Sequence, residues 1–202
     1  MMPREHRSPA RIFDDPVALV TGAGSCTGLA TAKAFAKAHA AALLADQDGE
    51  SARSAAAALA VSGHSALAMR CDVAVEHEVA SMIGRTVGFF GRLDLAFNHG
   101  GLHVPAATTA DALGDDIGYV TAVNLRGLRS CMKYELQQMQ VQERGSIVNC
   151  ASQFAPVGAA GLAACSASKH GALGLTRSAA FEYNDSTAVR SSARAWALAY
   201  WP

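Results

Sequence analysis

The stretch "VALVTGAGSCTGLATAKAFA", residues 17–36, decides the fold. An apolar run of strand length, Val17 to Thr21, gives way to a glycine-bearing turn, and the turn to an Ala-rich amphipathic segment of helical period. Strand, tight turn and helix in that order form the opening half of a βαβ unit. Glycine in such a turn permits positive φ and lets the backbone approach a pyrophosphate, whose charge the amides and dipole of the helix N-terminus stabilise. The common dinucleotide spacing GxGxxG is not met, because counting from Gly22 and Gly24 the third glycine position holds Thr27. Taken alone, the turn leaves two readings open: a cradle for a cofactor phosphate, or a merely tight βα connection.

Outward from this unit the chain alternates. Short apolar runs at 17–21, 41–46, 65–70, 93–97 and 145–152 read as strands. Amphipathic stretches at 27–39, 49–62, 76–90, 111–139 and 164–183 read as helices. Alternation of this kind predicts an α/β, doubly wound (Rossmann-type) fold, its mostly parallel sheet covered by helices on both faces. Ligands of such sheets bind outside the carboxyl ends of the strands. Asp46 closes the second strand, about twenty residues beyond the glycine turn, where a carboxylate accepts both hydroxyls of an adenosine ribose. With no basic residue immediately after it, Asp46 would repel a 2′-phosphate, which favours NAD over NADP; the competing reading is a solvated acid at a strand end.

Composition narrows the field. The chain has 202 residues, half of them apolar, with 17 basic residues against 17 acidic, so it can bury one domain's core and offers no general electrostatic attraction to nucleic acid or an anionic membrane. Residues 1–12 read as a loose leader and 13–202 as a single domain. The N-terminal charges lack the apolar stretch of a signal peptide or anchor, and no later run approaches a membrane span, so a cytoplasmic protein is expected. Five cysteines, an odd number without CxxC or Cys/His ligand spacing, suggest reduced thiols and no metal site. His99 and His170 have no second ligand at a recognisable spacing and read as packing or surface residues, and "CMKYELQQMQ" at 131–140 reads as a helix face meeting other protein.

Several motifs in order and spacing resemble the short-chain dehydrogenase/reductase family from about residue 12 to about residue 190. "TGAGSCTG" is similar to the family's TGxxxGxG, keeping Thr21, Gly22 and Gly28 but carrying Cys26 at the middle glycine. "CDV" supplies Asp72 and Val73 at the family's adenine-contacting pair. "FNHGG" stands for NNAG, with Asn98 and Gly101 matching, His99 in place of Asn and Gly100 in place of Ala. "AVNLRG" supplies Asn124, which the resemblance makes the holder of a proton-relay water, and "IVNCAS" supplies Ser152, the polariser of the substrate oxygen. The resemblance thus implies cofactor contacts from Thr21, Gly22, Ser25, Cys26, Gly28, Asp46, Asp72, Val73, Asn98, Gly100 and Lys169, and a catalytic set of Ser152, Lys169, Asn124 and the residue at 165.

That last residue breaks the pattern. The family's YxxxK ends at Lys169 in "CSASKHG", residues 165–171, so Cys165 stands where the acid/base tyrosine belongs. Acidity is not the obstacle, since a thiol has a reference pKa of about 8.5 against roughly 10 for a phenol. Reach is: the thiol ends roughly 3 to 4 Å short of a phenol oxygen, and proton transfer needs heavy atoms about 2.6 to 3.2 Å apart or one bridging water. Ser166 and Ser168 are turned away from residue 165 around the helix, and no histidine is placed by sequence to make Cys165 a nucleophile. Cys26 is expected to crowd the pyrophosphate and to strain the turn, weakening cofactor binding.

After residue 183 only a trace of a further strand is legible, around Val189 and Arg190, so a final strand and a substrate lid are expected to be missing; Trp196, Tyr200 and Trp201 are expected to fold over the sheet edge, the alternative being a partner-binding tail. Two function classes follow: an impaired NAD-linked oxidoreductase of a secondary alcohol or ketone, and a catalytically silent relative, which is a nucleotide-binding or oligomer-forming subunit or simply a decayed, truncated copy. By resemblance the helices at 111–139 and 164–183 would form a homodimer, whereas tetramers that need a final strand are not expected.

Overall fold

The computed structural model describes residues 15–152, 157–183 and 188–192. The expected leader at 1–12, the segment containing Trp196, Tyr200 and Trp201, and the question of a final strand and lid lie outside these residues. Among the described residues six strands form one sheet: β1 (Val17–Thr21), β2 (Ala41–Asp46), β3 (Ala66–Arg70), β4 (Leu95–Asn98), β5 (Arg144–Asn149) and β6 (Ala188–Ser192). Their spatial order is β3-β2-β1-β4-β5-β6, and every pairing is parallel. The trace of strand read around Val189 and Arg190 is therefore a paired strand, lying against Gly145 and Ser146 of β5.

The helices are α1 (Cys26–Lys37), α2 (Gly49–Val61), α3 (Glu76–Phe90), α4 (Gly114–Thr121), α5 (Leu128–Val141) and α6 (Ala163–Tyr183). Asp48 starts α2 by accepting the amides of Glu50 and Ser51, a side-chain N-cap, and Gly91 in the left-handed region ends α3. Strands β1 and β2 read as continuous apolar runs because both of their faces are covered. On one face Ala18, Val20, Ala42 and Leu44 pack with the small apolar residues of α1 and α2. On the other, Leu19, Leu43, Ala96 and Ile147 pack with residues of α3, α5 and α6, including Val79, Met82, Met132 and Met139. The 131–140 face thus meets this core.

The stretch expected as one helix over 111–139 is three pieces. Between α4 and α5 the chain makes a π-helical turn, Ala122–Gly127. Such bulges inside α-helices gather at functional sites. Here the bulge carries Asn124, whose carboxamide binds the backbone of Leu102 in both directions: the Leu102 amide donates to Oδ1 and Nδ2 donates to the Leu102 carbonyl, each at 2.8 Å.

At the amino end of the sheet, fully buried Asp94 accepts the Val17 amide at 3.0 Å and pairs with Arg92 and Arg144, joining the starts of β1, β4 and β5. The carboxyl end is left for the site. Strand order reverses between β1 and β4, so the crevice outside their carboxyl ends is the switch point of the fold.

Candidate cofactor and catalytic site

The end of β1 is tied to the end of β4 by one hydroxyl. Buried Thr21 Oγ1 accepts the backbone amides of His99 and Gly100, both at 3.1 Å. The chain then turns through Gly22, at φ +64°, and α1 begins so close to that turn that a methyl group at Gly28 would lie 1.9 Å from the Gly22 carbonyl oxygen. Only glycine fits, and the backbone is left bare at the start of α1. Ser25 stands extended at the N-cap without a side-chain cap bond, and the first turn of α1 carries no acidic residue. The amides and positive dipole end of α1 are therefore not offset locally, which suits an anion such as a cofactor pyrophosphate. Cys26 sits here, exposed, at φ +46°, where a Cβ is strained.

Asp46 is more than a solvated strand-end acid. Its Oδ2 accepts the Gly24 amide at 2.9 Å and its Oδ1 the Asp48 amide at 3.0 Å, so the carboxylate links the glycine turn to the end of β2. Each oxygen keeps a further lone pair for a ribose hydroxyl. Beyond β3, Asp72 Oδ1 accepts the Ala74 amide at 2.9 Å and its own amide donates to Glu78, which shapes the loop that brings the Val73 side chain beside Gly100. Glu78 is held below the usual carboxylate range by that amide and by Arg70, despite some desolvation.

On the other side of the crevice, Lys169 reaches from α6 to the end of β5, donating from Nζ to the Cys150 carbonyl at 2.9 Å, and Gly101 lies beside both Lys169 Nζ and Asn124 Oδ1. Half-buried Ser152 follows in the same loop after β5. The structure thus brings together Asn124, Gly101, Lys169 and the loop ending in Ser152. Burial pushes the Cys150 thiol up, with the Lys169 charge opposing. His99 is half-buried, its ring stacked on Phe97 at 5.8 Å between centroids; burial first, and the Lys169 charge second, hold its pKa below the ordinary value.

Cys165 lies one helical turn before Lys169, half-buried. It lines a shallow open cavity with Val104, Pro105, Ala107, Ile117 and Gly161. Ser166 and Ser168 are buried on other sides of α6, and the Ser168 hydroxyl donates to the Cys165 carbonyl at 2.8 Å, so neither serine takes the place of a phenol. His170 Nδ1 donates to the Ser166 carbonyl at 2.8 Å, a hydrogen bond within α6.

Asn98 differs from the rest of the expected cofactor set. Its carboxamide is buried within the protein, donating to Glu135 Oε2 at 2.9 Å and to Asn149 Oδ1 at 3.0 Å. Glu135 and Asn149 escape sequence reasoning: the first looks like an ordinary helix charge and the second like the polar end of a strand. Among the described residues no group of His, Cys, Asp or Glu is arranged to hold a metal ion, and no helix is long and apolar enough to cross a membrane.

Comparison with known proteins places this geometry. The short chain dehydrogenase family pattern matches residues 16–195. The chain is 38% identical over 171 residues to the cis-4-hydroxycyclohexanecarboxylate dehydrogenase of Sinomonas cyclohexanicum, covering 85% of this chain and 68% of that protein. It is 39% identical over 168 residues to the short chain dehydrogenase/reductase astE of Aspergillus oryzae, covering 82% and 64%. The crystal structure of NAD+-bound xylitol dehydrogenase superimposes with a TM-score of 0.87 at 34% identity, over 91% of this chain and 70% of that one. The chain therefore spans about two thirds of the length of these relatives.

Proposed function

This chain belongs to the short-chain dehydrogenase family, and from that membership we propose that it is an NAD-linked oxidoreductase of a secondary alcohol or its ketone, with an impaired proton-transfer step. The observation that carries the reading is the dinucleotide cradle: the Gly22–Gly28 close approach at the start of α1, facing a carboxylate at the end of β2. A nicotinamide cofactor, when bound, supplies or accepts the hydride. Asp46 would accept the adenosine ribose hydroxyls with its remaining lone pairs, and its charge disfavours a 2′-phosphate. Lys169 would hold the second ribose with its ammonium protons, Ser152 would donate a hydrogen bond to the substrate oxygen, and Asn124 would steady the Leu102 backbone beside them. Cys165 occupies the proton-donor position but falls short, so proton exchange with substrate runs through a water or not at all. Cys26 weakens binding by crowding the phosphates. A secondary alcohol on a small ring is supported by the hydroxycyclohexanecarboxylate dehydrogenase among the relatives.

A second reading, a silent nucleotide-binding relative, is favoured by Cys165 alone. Titration with NADH, followed by nicotinamide fluorescence and controlled with NADPH, separates the possibilities. Saturable binding that prefers NADH supports the oxidoreductase or its silent counterpart, which turnover with cyclohexanol and NAD then distinguishes. No binding at about millimolar NADH, the upper end of ordinary cofactor-site affinities, discards both. Homodimer formation through the α4–α5 and α6 region belongs to the same proposal; Tyr119 and Phe181 stand exposed there, and a monomeric mass by light scattering would remove it.

A further inference from the structure

Beneath the crevice, a chain of buried polar side chains crosses from α6 to α5, and its direction is set at one end. The Thr176 hydroxyl donates to the Ala172 carbonyl at 2.7 Å, so Thr176 Oγ1 must accept from Asn149, whose Nδ2 lies 2.9 Å away. Asn149 Oδ1 therefore faces Asn98 and accepts from its Nδ2, and the second hydrogen of that Nδ2 goes to Glu135 Oε2. The amide orientations follow from this connectivity. Two buried atoms are left over, Asn98 Oδ1 and Glu135 Oε1. Both are acceptors when Glu135 is ionised, and a proton on Oε1 converts one of them into the donor the other lacks.

We propose that Glu135 is a positioning residue, held as an un-ionised carboxylic acid that pairs with the Asn98 carboxamide through a two-way hydrogen bond and so sets the ends of β4 and β5. The surroundings agree. Glu135 is fully buried, and burial pushes its carboxyl up to about 7, opposed only by the Asn98 hydrogen bond. The elements packed about it present Asn98 from β4, Asn149 from β5, Thr176 from α6 and, one turn back on α5, the buried Cys131 thiol, itself pushed up by burial and by Glu135; behind that thiol is Cys71, beyond β3. The groups acting on Glu135 include no cation among the described residues. Asn98 immediately precedes the amides that Thr21 accepts, and Asn149 precedes the Cys150 carbonyl that receives Lys169, so the acid acts on the site through both strands.

The un-ionised acid has a signature independent of cofactor. An infrared spectrum at about pH 6, where exposed carboxyls are ionised, should show a protonated-carboxyl carbonyl band that Glu135→Gln abolishes. The folded chain keeps the proton that the unfolded chain releases, so wild-type stability relative to Glu135→Gln should fall as pH rises from about 4.5 to about 7 and then level off. Glutamine can donate and accept as the acid does, and should leave the His99 and Gly100 amide exchange rates within about twofold, whereas Glu135→Leu should speed them about tenfold. An absent band, or a stability difference independent of pH, overturns the un-ionised acid. Unchanged amide exchange in a folded Glu135→Leu overturns the positioning role. The influence on cofactor binding rests on the function proposed above; if the wild type shows the band but binds no NADH, that reading fails while the acid stands.

Discussion

At the scale of single residues, two cysteines carry the impairment in the proposed function. Cys26 holds a left-handed backbone that costs a non-glycine residue roughly 1 to 2 kcal/mol. Cys26→Gly should raise the unfolding free energy by about 1 kcal/mol in urea titration, and NADH should bind about tenfold more tightly, because the bare backbone can again approach a phosphate. On the proposed function, Cys165 falls short in reach. Cys165→Tyr returns an oxygen to the proton-transfer position and should raise turnover of cyclohexanol with NAD by about 10²–10⁴, the usual contribution of a general acid/base. Unchanged turnover in a variant that binds NADH would place the deficiency elsewhere than residue 165. The positions of both cysteines, Lys169, Ser152 and Asp46 at the carboxyl end of the sheet were legible in the sequence, because the strand and helix boundaries that place them are local. Glu135 was not, since a carboxylate in "KYELQQM" looks solvated until the fold buries it.

Among elements, the junctions matter more than the strands and helices themselves. Thr21 joins β1 to the loop after β4 with one oxygen that accepts two amides. Thr21→Val keeps the shape and removes the acceptor, and should cost about 1 to 3 kcal/mol by leaving partly buried amides unpaired. Faster exchange at His99 and Gly100, with little change on the α2 side, would confirm that the effect is local. The π-helical turn at Ala122–Gly127 is a second junction. It lay hidden in what looked like one long helical run, because the segments on either side of it are themselves helical. A pair of hydrogen bonds ties the bulge, through Asn124, to Leu102, twenty-two positions away.

Taken whole, the molecule divides its polar interior between the two ends of the sheet. At the amino end Asp94 is enclosed, bound to the β1 backbone and to two arginines; at the carboxyl end the loops are held by Thr21, Asn124 and the Asn98–Glu135 pair. Asp94→Ala leaves the Val17 amide without its acceptor and two partly exposed guanidiniums without their partner, and should destabilise by about 1 to 3 kcal/mol, read as a lower urea midpoint, without moving the NADH-over-NADPH preference. Sequence by itself determined the alternation of strand and helix, the parallel sheet, the family and the place of each motif residue, because period, apolar runs and turn glycines are local properties of the chain. Tertiary structure alone decided that Asp46 also braces the glycine turn, that Asn98 is bound inside the protein, and that Glu135 meets it there. Those outcomes depend on which groups lose water and which find a partner across the fold, and no local pattern encodes either.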